Sequence, residues 1–181
     1  SYFWTPENGL IDRSKRDRQP YDVWARQGYM NTTPGSTVDY EFVAQDIASI
    51  VQSLNLQVIA YDRYRIDMLK KEFERIGVDL PLAMWGQGFK DMTPAIETLE
   101  AELLNKRVAH GNHPVLTMCA ANAIITSDPA GNRKLDKHKA TGRIDGMVAM
   151  AMAFGISQKH DNLDDSEEFN LFLSNPITLK S

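Results

Sequence analysis

The sequence contains a single cysteine, Cys119, so no disulfide can form within the chain, which fits a reducing, cytosolic compartment. Set in Leu116-Thr117-Met118-Cys119-Ala120-Ala121, it reads as a small buried residue rather than a nucleophile. No long apolar run is present, which excludes a transmembrane helix. The N-terminal Ser1-Tyr2-Phe3-Trp4-Thr5-Pro6 lacks the basic segment and apolar stretch of a secretion signal. There is no GxxxxGK[ST] phosphate loop, so this chain alone is not an ATPase of that class. A G-x-S-x-G elbow is also missing. His110 and His113 find no cysteine or histidine cluster to complete a zinc site and read as loop residues at a helix start. Positive charge is not in excess: 20 Lys and Arg stand against 24 Asp and Glu, a net charge of −4. That argues against a strongly basic DNA-coating protein but leaves local patches free to bind nucleic acid.

What is present is an ordinary soluble composition, 43% hydrophobic and 24% charged over 181 residues, enough for one domain with a core, or one domain with a tail. Tyr2-Phe3-Trp4 reads as a strand entered midway, followed by a polar, basic stretch from Glu7 to Pro20. Tyr21 to Gln27 is a short helix closed by Gly28. Val43, Ile47, Ile50, Val51 and Leu54 recur at helical spacing, with Ser36 or Thr37 as cap. Leu56 to Tyr61 (LQVIAY) predicts a buried strand. Ile66, Leu69, Phe73 and Ile76 predict a second helix, stopped by Gly77. Leu80 to Trp85 predicts a further strand, with Pro81 near its start. Thr93 and Pro94 read as the cap and first residue of a helix whose stripe is Ile96, Leu99 and Leu103. Pro114 to Asn122 predicts another helix, and Ile124 to Thr126 with Arg133 to Lys137 a β-hairpin around Asp128-Pro129-Ala130-Gly131-Asn132. The last helix, Ile144 to Phe154, is apolar nearly all round and should be buried. From residue 158 the chain turns acidic and reads as an exposed tail with a short helix near Phe169 to Leu173. Alternation of strand and helix after residue 36 points to an α/β domain with a partly parallel sheet.

Asp62 follows a strand that otherwise looks buried, where functional groups gather in open α/β sheets. From spacing alone it reads more readily as a helix N-cap for the segment that follows. Asp145 opens the last helix, where the helix dipole favours negative charge, and Gly146 leaves room for close approach by a ligand or another backbone. It too can be a simple first-turn acid. Together the two suggest a carboxylate site for a divalent cation such as Mg²⁺, although sequence spacing cannot show that they meet. Basic residues cluster twice, as Arg13, Lys15, Arg16 and Arg18, and as Arg133, Lys134, Lys137, Lys139 and Arg143. Each group is either a solvated face or a nucleic-acid contact. Met147, Met150 and Met152 are most simply core packing, and Trp4, Trp24 and Trp85 read as buried rather than stacked on bases.

A set of segments in a fixed order carries a resemblance. FWTP at Phe3, YDVWARQGYMNTTPG from Tyr21, VDY at Val38 and AYDRY from Ala60 are followed by WGQGFKDMTPAIETLE from Trp85. HPVLTMCAANA from His113, DPAGNRKLDK from Asp128 and RIDGMVAMAMA from Arg143 complete it. The chain resembles the C-terminal nuclease domain of the large terminase subunit of tailed bacteriophages and prophages, in the branch with a ribonuclease H-like fold. The likeness runs from about Tyr2 to Phe154. It implies a central mixed sheet flanked by helices, with a β-hairpin near the site and acids converging on metal ions. The family's central-strand acid matches Asp62, and the acid opening its last helix matches Asp145. Lys137 matches a lysine carried just after the hairpin, close to the DNA backbone; Arg133, Lys134 and Arg143, from the second basic cluster, are candidate DNA contacts beside it. Asn122 falls on a recurring asparagine without an assigned role.

The resemblance implies an endonuclease that cuts double-stranded DNA during genome packaging by direct attack of a metal-activated water. Two Mg²⁺ or Mn²⁺ ions are expected. The small terminase subunit and the portal would be partners, and the host bacterial cytoplasm the location. The family also carries a metal-binding aspartate on its first strand, which would precede Tyr2, and an upstream ATPase domain. On that expectation the chain holds two of three acids, as a truncated nuclease domain over 1–157 with an acidic tail over 158–181. Asp12 and Asp17 lie in basic, loop-like surroundings that do not match a strand. The alternatives are a catalytically incomplete module that binds DNA or packaging partners, and a nuclease of the same fold serving repair or recombination.

Overall fold

The computed structural model describes residues 1–174. A first parallel pair joins β1 (Trp4–Pro6) to β2 (Asn31–Thr33), with Thr5 opposite Thr32. Between them lie α1 (Leu10–Asp17) and α2 (Tyr21–Arg26). The basic stretch expected to be irregular is thus partly helical. With Leu10 and Ile11 as its only apolar residues, α1 has no stripe for periodicity to detect, and it buries none of its side chains.

The helix α3 (Tyr40–Val51) is capped by Asp39, whose Oδ1 accepts the Phe42 amide at 3.2 Å, and not by Ser36 or Thr37. Next, β3 (Ile59–Tyr61), α4 (Ile66–Arg75) and β4 (Leu82–Met84) form a strand–helix–strand unit. Its strands pair in parallel with Tyr61 opposite Met84. The pairing continues past the strands, since the Trp85 amide donates to the Tyr61 carbonyl at 2.9 Å. β3 is shorter than the LQVIAY run and only half-buried, because a two-stranded ladder is covered by a helix on one side and leaves the other more open.

The next helix, α5 (Phe89–Leu104), starts a turn earlier than Thr93-Pro94 suggests, and Pro94 lies inside it. The Thr93 hydroxyl does not cap. It donates back to the Phe89 carbonyl at 2.7 Å and accepts the Arg133 amide at 2.8 Å, tying the helix to the hairpin. The helix α6 (Pro114–Asn122) begins at its proline as expected. The hairpin of β5 (Ile125–Ser127) and β6 (Arg133–Leu135) forms as expected. Asp128 organises its turn by accepting the Ala130 and Asn132 amides, each at 2.9 Å.

The last helix, α7, spans Asp145–Ser174, with no glycine or proline between 156 and 174 to stop it. Its backbone therefore runs on through residues that composition reads as a tail with a short helix. The exposure of that acidic segment lies outside the described residues. No helix among the described residues is long and apolar enough to cross a membrane.

Pairing is mixed, but as three two-stranded ladders rather than one central sheet among the described residues. Strands of three residues offer too few ladder bonds to carry the fold, and helix packing does so instead. The main core lies between α5 and α7: Met92, Ala95, Ile96 and Leu99 meet Ile144, Val148, Ala151 and Met152, with Trp85 at one end. A smaller cluster of Tyr21, Met30, Val115, Met118 and Cys119 sits under α2 and α6.

At the α5–α7 seam, Gly155 has no room for a side chain. A Cβ there would overlap the Trp85 ring and lie 2.8 Å from the Ala95 Cβ. Overpacking of such a seam costs about 1–3 kcal/mol. Gly155→Ala is therefore expected to lower stability by about that amount despite its better helix propensity, as read by urea unfolding. A gain in stability would contradict the seam.

Candidate functional site

Asp62 is the first residue beyond β3. It does not cap α4, whose N-cap is Arg65 in the left-handed region with φ 57°. Asp62 Oδ1 accepts the Tyr64 amide at 3.3 Å, which turns the chain locally. Its Oδ2 accepts Gln87 Nε2 at 2.6 Å. This second bond follows from topology. Because β3 and β4 are parallel, both leave the ladder at the same end, and Gly86-Gln87-Gly88 emerges beside Asp62. Gly86 passes close to α5: a Cβ on it would press on the carboxylate of Asp91, from that helix's first turn, which would have to move. Gln87 and Asp91 were not singled out in the sequence. The available signal was a polar residue between two glycines at the carboxyl end of a second strand.

Asp145 is the first residue of α7 and is exposed. Its Oδ1 lies 3.4 Å from Lys137 Nζ. The preceding Ile144 is buried in the main core and anchors the helix start. Gly146 does not make room for a ligand or a backbone. A Cβ there would lie 2.9 Å from the Phe3 ring and 3.2 Å from Leu116 Cδ1, so two side chains take the space. Asp145 lines a cleft of about 430 Å³ together with Asp17, Tyr21 and Arg143.

Asn122, at the end of α6, acts on this helix start. Its Nδ2 donates to the Arg143 carbonyl at 3.2 Å, and its Oδ1 accepts the Thr141 hydroxyl at 3.1 Å. Gly142 passes so close that a Cβ would lie 2.7 Å from Asn122 Nδ2. Asn122 thus clamps the 141–143 segment that leads into Asp145.

The basic candidates separate. Arg133 is 3.0 Å from Glu100 and 3.9 Å from Glu97, so its charge is already compensated. Lys134 lies over the Phe89 ring at 5.0 Å. Lys137 faces Asp145, whereas Arg143 opens onto a cleft that it shares with Arg16 and Arg18. Asp17 is held below the usual carboxylate range, chiefly by its hydrogen bond from Arg16, with a smaller contribution from the charge of Arg143.

The residues set aside in the sequence stay outside the chemistry. Cys119 is buried, and burial pushes its thiol up, away from the nucleophilic form. The His113 ring packs against Phe3 and Tyr29 at 5.1 Å and 5.4 Å, and burial lowers its pKa. Trp85 is buried, and Trp4 Nε1 donates to Asp46 Oδ2 at 2.7 Å.

Asp62 and Asp145 stand on elements that touch. Ala60 of β3 packs against the core cluster that contains Ile144, and β3 contacts α7. No hydrogen bond or ion pair among the described residues joins the two carboxylates directly. Their oxygens are hard donors of the kind Mg²⁺ and Mn²⁺ prefer. Among the described residues, however, no group of three or more His, Cys, Asp or Glu is placed to hold a metal ion. The donor chemistry fits a divalent cation, while a complete protein cage is not assembled.

Comparison with known proteins gives a consistent picture. A family model described as the terminase large subunit, endonuclease domain, matches residues 1–161. The large terminase subunit of Enterobacteria phage HK97 is 54% identical over 178 residues, covering 98% of this chain and 35% of that protein. Protein YmfN of Escherichia coli strain K12 is 25% identical over 175 residues, covering 92% of this chain and 38% of that one. The crystal structure of the HK97 large terminase superposes with a TM-score of 0.80 at 60% identity, over 84% of this chain and 32% of that one. The chain thus spans about a third of the length of the curated relatives it matches. With the matching segments, the α/β fold and this coverage together, the chain belongs to the family of terminase large subunit endonuclease domains.

Proposed function

We propose that this domain is a metal-dependent endonuclease that cuts double-stranded DNA during phage genome packaging, with Asp62 and Asp145 as its catalytic and metal-binding acids. The observation that carries the reading is the position of Asp62: a carboxylate beyond the parallel β3–β4 pair, oriented by Gln87, on a strand packed against the acid-led helix α7. This arrangement supports a ribonuclease H-like fold, in which acids from separate elements converge. Asp62 and Asp145 would hold one or two Mg²⁺ or Mn²⁺ ions. Such ions would supply positive charge to the scissile phosphate and lower the pKa of a bound water.

The chain's own residues position this chemistry. Gln87 fixes the rotamer of Asp62, leaving the remaining lone pairs of the carboxylate free. Lys137, beside Asp145, is placed to meet a phosphate near the site. Lys134 and Arg143 extend the basic face, whereas Arg133 contributes less because Glu97 and Glu100 already pair with it. Double-stranded phage DNA is the substrate in this reading. The small terminase subunit and the portal are partners, and the work takes place in the cytoplasm of the host.

A second reading has one observation in its favour. Without a third acid beside Asp62 and Asp145 among the described residues, the chain also reads as a packaging module that binds DNA but does not cut it. Nicking of supercoiled plasmid in Mn²⁺ separates the two. The endonuclease reading expects nicking by the chain and its loss in Asp62→Ala and in Asp145→Ala. Nicking that persists in Asp62→Ala overturns the assignment of that residue, and plasmid binding without nicking by the unmodified chain supports the module.

Gln87 provides a finer test. Loss of an outer partner of a metal ligand costs about 10–100-fold in metal affinity or activity. Gln87→Leu is expected to raise the Mn²⁺ concentration needed for half-maximal nicking by about that factor, with recovery at saturating metal and an unchanged thermal midpoint. An unchanged metal dependence would remove Gln87 from the site.

A further inference from the structure

Arg16 and Arg18 lie more than a hundred residues from Arg143 in sequence, yet all three line one polar cleft of about 520 Å³. Asn122, Thr141 and Gly142 line it as well. The cleft adjoins the one containing Asp145, for Asp17, Tyr21 and Arg143 line both. Three guanidinium groups face a single carboxylate, Asp17, which pairs with Arg16 at 2.7 Å. Among the described residues Arg18 and Arg143 form no ion pair, unlike Arg133 and Lys137.

The backbone position of both arginines is defined by the fold. Arg18 ends α1 in the left-handed region with φ 52°, a position usually given to glycine. A side chain there costs about 1 kcal/mol and persists where the surroundings impose it. The Arg143 carbonyl is clamped by Asn122. Guanidinium forks match phosphate oxygens in a bidentate way. In a chain of net charge −4, such a patch is where an anionic polymer would dock.

We propose that the Arg16–Arg18–Arg143 cleft is a docking track for the phosphate backbone of the DNA strand delivered to Asp145. This rests on the reading of the domain as a DNA-cutting one. It adds a second gripping surface, built from two sequence-distant basic clusters, beside the hairpin lysines.

The test uses the whole chain and a fluorescein-labelled duplex, with binding read by anisotropy without divalent metal over a range of salt concentrations. Each phosphate contact contributes about 0.9 to the slope of log affinity against log salt. The double variant Arg18→Gln/Arg143→Gln is expected to lose about tenfold or more in affinity and to flatten that slope by about 2. Arg107→Gln, an exposed arginine paired with Glu102 away from the cleft, is the control. An unaltered slope and affinity in the double variant overturns the track, as does a failure of the unmodified chain to bind the duplex.

A second measurement needs no variant. Phenylglyoxal modification of the unmodified chain, mapped by mass spectrometry, is expected to be suppressed by duplex at Arg18 and Arg143 and not at Arg107. Equal modification with and without DNA overturns the proposal. Because binding is read without metal and nicking with Mn²⁺, loss of the track and loss of the nuclease reading give different results.

Discussion

The contact between α5 and α7 forms the main core, and the elements next to Asp62 and Asp145 pack on it. Gly155 lets the two helices approach until the Trp85 ring and Ala95 fill the seam. Trp85 is also the residue that extends β4 by one more bond to Tyr61 of β3. The ring buried in the seam therefore sets where Gly86-Gln87-Gly88 leaves the ladder and whether Gln87 can reach Asp62. At the other end of α7, Ile144 is held in the same core, one residue before Asp145. A single apolar contact thus locates both acids, although neither acid takes part in it.

Around that core, polar groups fix the approaches. Asn122 binds the segment before α7 with both ends of its amide, and Gly142 is tolerated there because nothing larger would clear Asn122. Thr93 ties α5 to the hairpin in a comparable way. These are local bonds of modest individual strength, about 1 kcal/mol each. Their importance lies in direction: they decide which basic side chains face outward uncompensated. Arg133, beside two glutamates of α5, does not, and Arg143 does. The negative overall charge hides that local asymmetry.

Much of the architecture could be read along the chain. Apolar spacing marks α3 and α4, Pro114 marks the start of α6, a nearly continuous apolar run marks the start of α7, and the hairpin announces itself through Asp128 to Asn132. Other features could not be read. The helix α1 lacks a stripe, and β2 is a three-residue segment of Asn and Thr with no alternation to notice. Thr93-Pro94 imitates a helix start because its hydroxyl chemistry is that of a cap, and only the hairpin carbonyls and amides show how the threonine is used. Asn122 was visible as a position without a role, since its partners lie around twenty residues away.

The sequence by itself determined the class of the domain, the identity of its family through an ordered set of segments, and the placement of Asp62 after a strand and Asp145 at the start of a helix. Those are properties of neighbours along the chain, where spacing and capping chemistry act. Only the tertiary structure decided that Gln87 holds Asp62, that side chains and not a ligand press on Gly146, and that Arg16 and Arg18 share a cleft with Arg143. The physical reason is the same in each case. These contacts join residues that are distant in sequence, and their geometry exists only once the parallel strands leave the ladder together and α5 and α7 close on their seam.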